Sequence, residues 1–372
     1  MHVLFAGGGT AGHINPALAV AGYLKKENPD IKISYIGTAK KLEAKLVPEA
    51  GYDFYTIDVA GLQRKLTPKN VVRNIIAVEK MFTSSIKARK ILKELKPDVV
   101  VGTGGYVSGP VLREAAKLGI KTAIHEQNAF PGVTTKALAP RVDRVMLAMK
   151  EAEKHLKLNK KPIITGNPVR QELMEISKAE AKKALGLDNR PLILSFGGSL
   201  GARPINEAVA GLIASHNGSK KYYHIHGTGK IGFDTTKKLV EEKCGELADE
   251  ITLREYINDM NVCMAAADIV ICRAGAITLS ELQCCGKASV LIPSPYVAEN
   301  HQYHNAMSLK NVGAAEVIEE KDLTEELLVS KVTELLDNSE MLKNMENAAL
   351  KSAISNANQR IAKVITELYE QK

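Results

Sequence analysis

Short apolar runs and longer amphipathic stretches alternate from one end of the chain to the other. In the first half the apolar runs predict strands at His2–Ala6, Lys32–Ile36, Asp53–Ile57, Val99–Val101, Lys121–His125 and Arg144–Leu147. In the second half they predict strands at Leu192–Phe196, Tyr222–His226, Ile251–Arg254, Ile269–Cys272 and Ser289–Ile292. Helical patterns fall between them, and turns bearing glycine or proline punctuate both halves. Strands that read as continuous apolar runs between helices belong to parallel sheets covered on both faces, so the pattern predicts an α/β chain. Two prolines and a glycine bracket a short apolar run within Lys161–Pro168, which predicts a domain boundary there. No low-complexity tract or short-period repeat interrupts the pattern.

One stretch carries a different periodicity. Within residues 64–93, Val71, Val72, Ile75, Val78, Met81, Phe82 and Ile86 recur mainly at three- and four-residue spacing, among Arg64, Lys65, Lys69, Arg73, Lys80, Lys87, Arg89 and Lys90. Alone, this describes one or two ordinary helices burying a stripe. Charge adds to it. Residues 1–160 hold 26 Lys and Arg against 14 Asp and Glu, a balance of +12, and the remainder holds 24 against 28, a balance of −4. The basic half therefore faces something anionic: a membrane surface, a phosphorylated substrate or nucleic acid.

The 372 residues are enough for about two domains. With 45% apolar and 25% charged residues, the profile is that of a soluble globular protein. No apolar run approaches the roughly 18–20 residues that span a bilayer, and no signal peptide is expected ahead of the first glycine turn. Cys244, Cys263, Cys272, Cys284 and Cys285 are few, odd in number and without C-x-x-C spacing, the pattern of reduced thiols.

Two glycine-rich turns about 190 residues apart carry the most chemistry. Gly7-Gly8-Gly9-Thr10-Ala11-Gly12-His13 follows the first predicted strand, and Gly197-Gly198-Ser199-Leu200-Gly201-Ala202 follows the strand at Leu192–Phe196; each precedes a helix. Such turns let backbone N–H groups approach a phosphate at a helix N-terminus. The first matches a dinucleotide fingerprint but lacks its acid, since the second strand ends Tyr35-Ile36-Gly37-Thr38. The second matches a G-x-S-x-G nucleophile elbow, yet a serine hydroxyl donating to a phosphate requires fewer assumptions. Gly102–Pro110 is a third glycine-rich strand end, and His125-Glu126-Gln127-Asn128 is a dense polar run after another strand. Glu299, His301 and His304 do not complete a metal-ligand set. Near Thr278 a helix is expected to begin, with Glu281 in its first turn. There the carboxylate fits two ribose hydroxyls, and it equally fits a Thr278-x-x-Glu281 capping box.

Seven motifs in order carry a resemblance: GGGTAGHINP (7–16), GTGGYVSGP (102–110), HEQN (125–128), TGNPVR (165–170), GGSLGA (197–202), CRAGAITLSE (272–281) and HQYHNA (301–306). Over essentially its whole length the chain resembles the MurG family of bacterial glycosyltransferases, which add N-acetylglucosamine to the lipid-linked muramyl-pentapeptide precursor of peptidoglycan. The resemblance implies a GT-B fold: two Rossmann-like domains with parallel sheets separated by a deep cleft. It implies an acceptor- and membrane-binding domain at 1–164, joined by a last helix within 356–372, and a UDP-N-acetylglucosamine-binding domain at 165–355. By motif match the donor site comprises Thr10, Ala11, Gly12, Asn128, Arg170, Ser199, Ile257, Arg273, Ala276, Ile277, Thr278, Glu281, His301 and Gln302. Glu281 would hold the ribose, Ser199 the diphosphate, and His301 and Gln302 the sugar. Gly9, Thr10, Gly104, Gly105 and Tyr106 would meet the acceptor diphosphate, and His13 and Asn128 would be catalytic. Val72, Ile75, Phe82, Lys69, Arg73 and Lys80 would dock on the anionic inner leaflet, making the protein peripheral on the cytoplasmic face of the membrane. No cofactor is implied beyond a possible Mg²⁺ from solution, and no nucleic acid. A related transferase acting on diacylglycerol, or a UDP-sugar 2-epimerase, would share parts of this pattern. Two departures stand out: Ala11 where glycine is expected, tolerable at negative φ, and His301 where glutamine is usual.

Overall fold

The structure, a computed structural model, describes residues 1–61 and 67–371, and for residues 68–79 the backbone only. The chain forms two compact units, Met1–Val169 with Asn356–Lys372 and Arg170–Ser355. The division falls just past the Lys161–Pro168 segment.

In chain order the first unit contains β1 (His2–Gly7), α1 (Ala11–Glu27), β2 (Lys32–Gly37), α2 (Glu43–Glu49), β3 (Asp53–Thr56), α3 (Pro68–Leu95), β4 (Val99–Gly104), α4 (Gly105–Lys117), β5 (Lys121–Glu126), α5 (Val133–Leu138), β6 (Arg144–Leu147) and β7 (Ile163–Ile164). The second contains α6 (Lys178–Ala184), β8 (Leu192–Phe196), α7 (Arg203–His216), β9 (Tyr223–Gly227), α8 (Phe233–Cys244), β10 (Ile251–Arg254), α9 (Met260–Ala266), β11 (Ile269–Cys272), α10 (Ala276–Cys284), β12 (Ala288–Leu291), α11 (His301–Asn311), β13 (Ala315–Val317), α12 (Glu325–Asp337) and α13 (Ser339–Ser352). The last helix, α14 (Ala357–Glu370), belongs to the first unit.

The sheets run β3-β2-β1-β4-β5-β6-β7 and β10-β9-β8-β11-β12-β13, and every pairing is parallel. Alternation along β1 shows how both faces of the first sheet are covered. Val3 and Phe5 pack with Val20, Leu24, Ile361 and Ile365 from α1 and α14; Leu4 and Ala6 pack with Leu92, Val111 and Leu112 from α3 and α4. In the second unit Ile193 and Ile271 pack against Val209 and Leu212 of α7 and against Leu328, Val332 and Leu335 of α12.

The strand orders have a consequence for the site. In each sheet the winding direction reverses beside the first strand, between β1 and β4 and between β8 and β11. Ligands of doubly wound sheets bind outside the carboxyl ends of the strands at such a switch point. Both glycine turns sit there. The helices leaving them, α1 and α7, have no side-chain hydrogen bond at the N-cap. By contrast α6 and α12 are capped by Ser177 and Thr324. The first-turn N–H groups of α1 and α7 thus have no capping side chain of their own.

Candidate functional site

In the second unit, β8 delivers the turn Gly197–Ala202 to the switch point. Gly201 has φ +81°, and a Cβ there would lie 2.1 Å from the Thr228 carbonyl oxygen, so this position admits glycine alone. The close approach fixes the turn against the one that follows β9. Asn206 Nδ2 donates to the same carbonyl at 2.9 Å and holds both turns to α7. Ser199 is exposed at the rim, and among the described residues its hydroxyl makes no hydrogen bond. No imidazole is poised to activate it, so the nucleophile-elbow reading lacks its base. Three of this unit's five histidines form a buried cluster elsewhere. His216 Nε2 lies 3.1 Å from His224 Nδ1, and His224 Nε2 and His226 Nδ1 each lie 2.8 Å from Ser195 Oγ, all buried. Burial lowers all three imidazoles, His224 well below the usual range and His226 to about 4.

Glu281 sits on α10, which begins at Ala276 with Gly275 as N-cap. This corrects the expectation of a helix starting near Thr278. Glu281 falls in the second turn, and the Thr278–Glu281 capping box does not form. The carboxylate is buried and Oε1 accepts from Arg170 Nε at 3.1 Å. Oε2 has no hydrogen-bond partner among the described residues. Burial pushes the carboxyl above its ordinary range, and the Arg170 guanidinium counters only part of that. A desolvated carboxylate with an open oxygen is an acceptor for ligand hydroxyls.

Glu281, Arg170, Ser199, Ile257 and Thr278 line one cavity of about 210 Å³. Its other walls are Phe196, Gly198, Gly227, Gly229, Glu255, Tyr256, Asn258, Met260 and Met264. The sequence reading missed Phe196, Tyr256 and the two methionines; Phe196 and Tyr256 had the signal of position at or just beyond strand ends, whereas Met260 and Met264, on α9, had none. Arg273, Ala276, Ile277, His301 and Gln302 are not on this wall. Arg273 is instead tied to the Glu320 carboxylate and donates to the Ile292 carbonyl at 3.2 Å. Ala276 is buried at the start of α10. Gln302 Oε1 accepts from the Ser294 amide at 2.9 Å, and His301 Nδ1 lies 2.8 Å from the Ala298 carbonyl. Glu299 and Asn300, both left-handed at φ 56° and 50°, turn the chain into α11 just before this pair. Such residues cost on the order of 1–3 kcal/mol each and gather at functional sites.

The first unit has its own cluster at the ends of β1, β4 and β5. Ala11 is the first residue of α1 and is not left-handed, so the methyl is tolerated. The acid missing from the end of β2 is supplied from further along by Glu43, at the start of α2. Its carboxylate is fully buried. Oε2 accepts from the Gly9 amide at 3.1 Å; Oε1 accepts from the Thr38 amide at 3.1 Å and the Thr38 hydroxyl at 2.7 Å. Both of its oxygens are thus taken by donors of the protein itself. The carboxylate also occupies the Gly9 N–H that the sequence reading offered to a diphosphate. Thr10, the N-cap of α1, and Gly12 remain exposed. Gly104 and Gly105 form the junction of β4 and α4, with Tyr106 exposed beside them. His13 Nδ1 lies 3.2 Å from Gln127 Oε1, and Thr103 Oγ1 donates to the His13 carbonyl at 2.7 Å. Glu126 positions Asn128 by accepting from its backbone and side-chain amides at 3.1 and 3.0 Å.

On α3, Phe82 is 66% and Ile86 72% exposed. Lys80 is paired with Asp58 at 2.9 Å. The side chains of Lys69, Val72, Arg73 and Ile75 lie outside the described residues. No helix among the described residues is long and apolar enough to cross a membrane, and no group of three or more His, Cys, Asp or Glu among them could hold a metal ion. All five cysteines are free thiols.

The N-terminal domain profile of glycosyltransferase family 28 matches residues 3–147 and the C-terminal domain profile of the same family matches residues 192–363. A curated protein of Acetivibrio thermocellus, named UDP-N-acetylglucosamine--N-acetylmuramyl-(pentapeptide) pyrophosphoryl-undecaprenol N-acetylglucosamine transferase, is 48% identical over 100% of this chain and 99% of its own length. A protein of the same name from Ruminiclostridium cellulolyticum is 45% identical over 99% of this chain and 100% of its length. Among solved structures, MurG of Acinetobacter baumannii is similar with a TM-score of 0.81 at 30% identity, covering 98% of this chain and 99% of that one. The UDP-GlcNAc 2-epimerase of Neisseria meningitidis, at TM-score 0.66 and 16% identity over the full length of both chains, shares the fold alone.

Proposed function

The chain belongs to glycosyltransferase family 28, and we propose that it moves N-acetylglucosamine from UDP-N-acetylglucosamine to the muramyl unit of the undecaprenyl-diphosphate-linked pentapeptide precursor of peptidoglycan. The product is the lipid-linked disaccharide known as lipid II. The fold is of the GT-B class, α/β with two Rossmann-like domains. The observation that best supports the donor assignment is the second-unit cavity, where a buried carboxylate with one open oxygen, Glu281, and the glycine turn bearing Ser199 line the same space. A nucleoside diphosphate has both complements: a ribose diol for the carboxylate and a diphosphate for the turn.

The muramyl C4 hydroxyl attacks C1 of the donor sugar, the C1–O bond to UDP breaks, and the anomeric centre inverts. His13 takes the hydroxyl proton. Ser199 and the N-terminus of α7 stabilise charge developing on the departing diphosphate. The same reading assigns Thr10, Gly12 and Asn128 to the donor sugar and Gly104, Gly105 and Tyr106 to the acceptor diphosphate. Arg273 and Gln302, held by their own protein partners, act by shaping the loops around the donor. Mg²⁺ from solution can neutralise the diphosphate further without a protein ligand set. The protein docks peripherally on the cytoplasmic face of the membrane through α3, with anionic lipid rather than nucleic acid as the partner of its basic half. Diacylglycerol as acceptor is the weaker reading, because the relatives' names specify a muramyl acceptor.

Calorimetric titration of UDP-N-acetylglucosamine into Glu281→Ala tests the donor assignment. Losing hydrogen bonds to a charged group costs roughly 1–3 kcal/mol, so affinity should fall about 5- to 150-fold with the unfolding temperature little changed. Unchanged affinity with lowered thermal stability would make Glu281 a structural residue and refute the assignment.

A further inference from the structure

We propose that Gln127 is a positioning residue that fixes His13 as the Nδ1–H tautomer and so presents Nε2 of His13 as a proton acceptor. The inference rests on the reading of His13 as the group that takes the acceptor proton.

The buried Gln127 amide has only one orientation that satisfies its surroundings. Its Nε2 lies 3.0 Å from the Thr103 carbonyl and 3.1 Å from the His125 carbonyl. Carbonyl oxygens only accept, so the amide nitrogen must face them. The amide oxygen is thereby turned toward His13 Nδ1, at 3.2 Å. That oxygen also only accepts, so Nδ1 of His13 carries the hydrogen. A neutral imidazole has one N–H, which leaves the lone pair on Nε2. Free imidazole side chains favour the opposite tautomer. Among the described residues nothing hydrogen-bonds His13 Nε2.

A second histidine holds the amide from behind. His125 Nε2 lies 3.0 Å from the Gly166 carbonyl, so that nitrogen carries the hydrogen; Nδ1 is then an acceptor 3.0 Å from Gln127 Nε2, sharing one of the two amide hydrogens with the His125 carbonyl while the other goes to Thr103. Burial keeps His125 neutral, as this arrangement requires. The ring of His13 is confined as well. Gly104 has φ +105°, and a Cβ there would stand 2.6 Å from His13 Nδ1 and 2.8 Å from Cε1, so the imidazole lies against a backbone that must be glycine. The hydrogen bond from Thr103 to the His13 carbonyl ties the same segment to the end of β4. Position, tautomer and ring plane are set by three separate contacts.

The test is a long-range ¹H–¹⁵N correlation spectrum of the full chain labelled at histidine, recorded where His13 is neutral, with His13 assigned by its loss in His13→Ala. The expected pattern is a protonated Nδ1 and a bare Nε2. In Gln127→Met the ring should revert toward Nε2–H. kcat should then fall about ten- to a hundredfold with the donor KM little changed, less than in His13→Ala because some of the active tautomer persists. A wild-type His13 protonated at Nε2 overturns the proposal, and this reading does not depend on any variant folding. Unchanged tautomer and kcat in Gln127→Met overturn it too. Near-normal kcat in His13→Ala instead removes the catalytic premise, while the spectrum still reports what Gln127 does to the ring.

Discussion

In their proposed roles, Glu281 and His13 are prepared by opposite means. Glu281 is kept out of water with one oxygen open and one guanidinium at 3.1 Å, and in the proposed role a ligand diol would complete that set. His13 is half-exposed, and its preparation lies in the hydrogen bond at Nδ1 rather than in burial. If His13 takes the acceptor proton, His13→Ala should lower kcat by about 10²–10⁴ while donor affinity barely moves. Near-normal kcat with a raised acceptor KM would assign His13 to acceptor binding instead. Legibility at this scale followed sequence distance. The strand-end segment around Glu281 announced a ligand, though a binding carboxylate and a capping box were indistinguishable until the start of α10 was known. Glu43 gave no signal, and Gln127 stood out only as part of a polar run, with nothing to tie it to His13. Each acts on a group 34 or 114 residues away, and nothing in local pattern reports a return of the chain over that span.

Eleven strands were legible, most because buried parallel strands read as apolar runs, though β3 and β10 are only partly buried. The strands that escaped are β7 and β13, of two and three residues at sheet edges, too short to carry a period. The helix α3 carries the membrane claim. Phe82 and Ile86 are one helical turn apart and exposed, each able to contribute about 1.5–3 kcal/mol on leaving water. Nearby cations contribute about 1 kcal/mol each at an anionic surface, though the Asp58 pairing at Lys80 reduces its share. Changing Lys69, Arg73 and Lys80 to Glu with Ile75 and Phe82 to Ser should abolish binding to anionic vesicles and spare activity on a short-chain soluble acceptor. Vesicle binding that survives these changes and ignores salt would contradict the docking claim. Strands β8 and β9 carry a different prediction. His226, lowered from 6.5 to about 4, binds a proton in the unfolded chain before it does in the folded one. Stability is therefore full above pH 6.5 and lost as pH falls toward 4, by up to about 3 kcal/mol from this residue, with His224 adding in the same direction. Burial lowers His216 in the same direction, and Glu250 offsets part of that shift alone. Replacing His226 with Gln should flatten the fall of Tm across that window. A variant profile parallel to the wild type would show that other groups govern acid unfolding.

For the whole molecule, the two glycine turns stand at equivalent places in two separately wound sheets, one between β1 and β4 and the other between β8 and β11. The two turns have been put to different use. In the second unit the turn borders an open cavity, whereas in the first Glu43 already occupies one of its amides. That asymmetry parallels the charge, +12 over residues 1–160 and −4 beyond, with the nucleotide-type pocket in the acidic part and the exposed apolar helix in the basic one. A donor bound by one unit and a lipid-borne acceptor met by the other is the division of labour these features support. The most direct measurement is transfer itself: the full chain is incubated with labelled UDP-N-acetylglucosamine and vesicles carrying both the diphosphate-linked muramyl-pentapeptide lipid and diacylglycerol, and the products are resolved by mass spectrometry. The account predicts label on the muramyl lipid alone, joined at C4 with inverted anomeric configuration, and one UDP released per sugar moved. Label on diacylglycerol, a 2-epimerised UDP-sugar, or no lipid-linked product would contradict it.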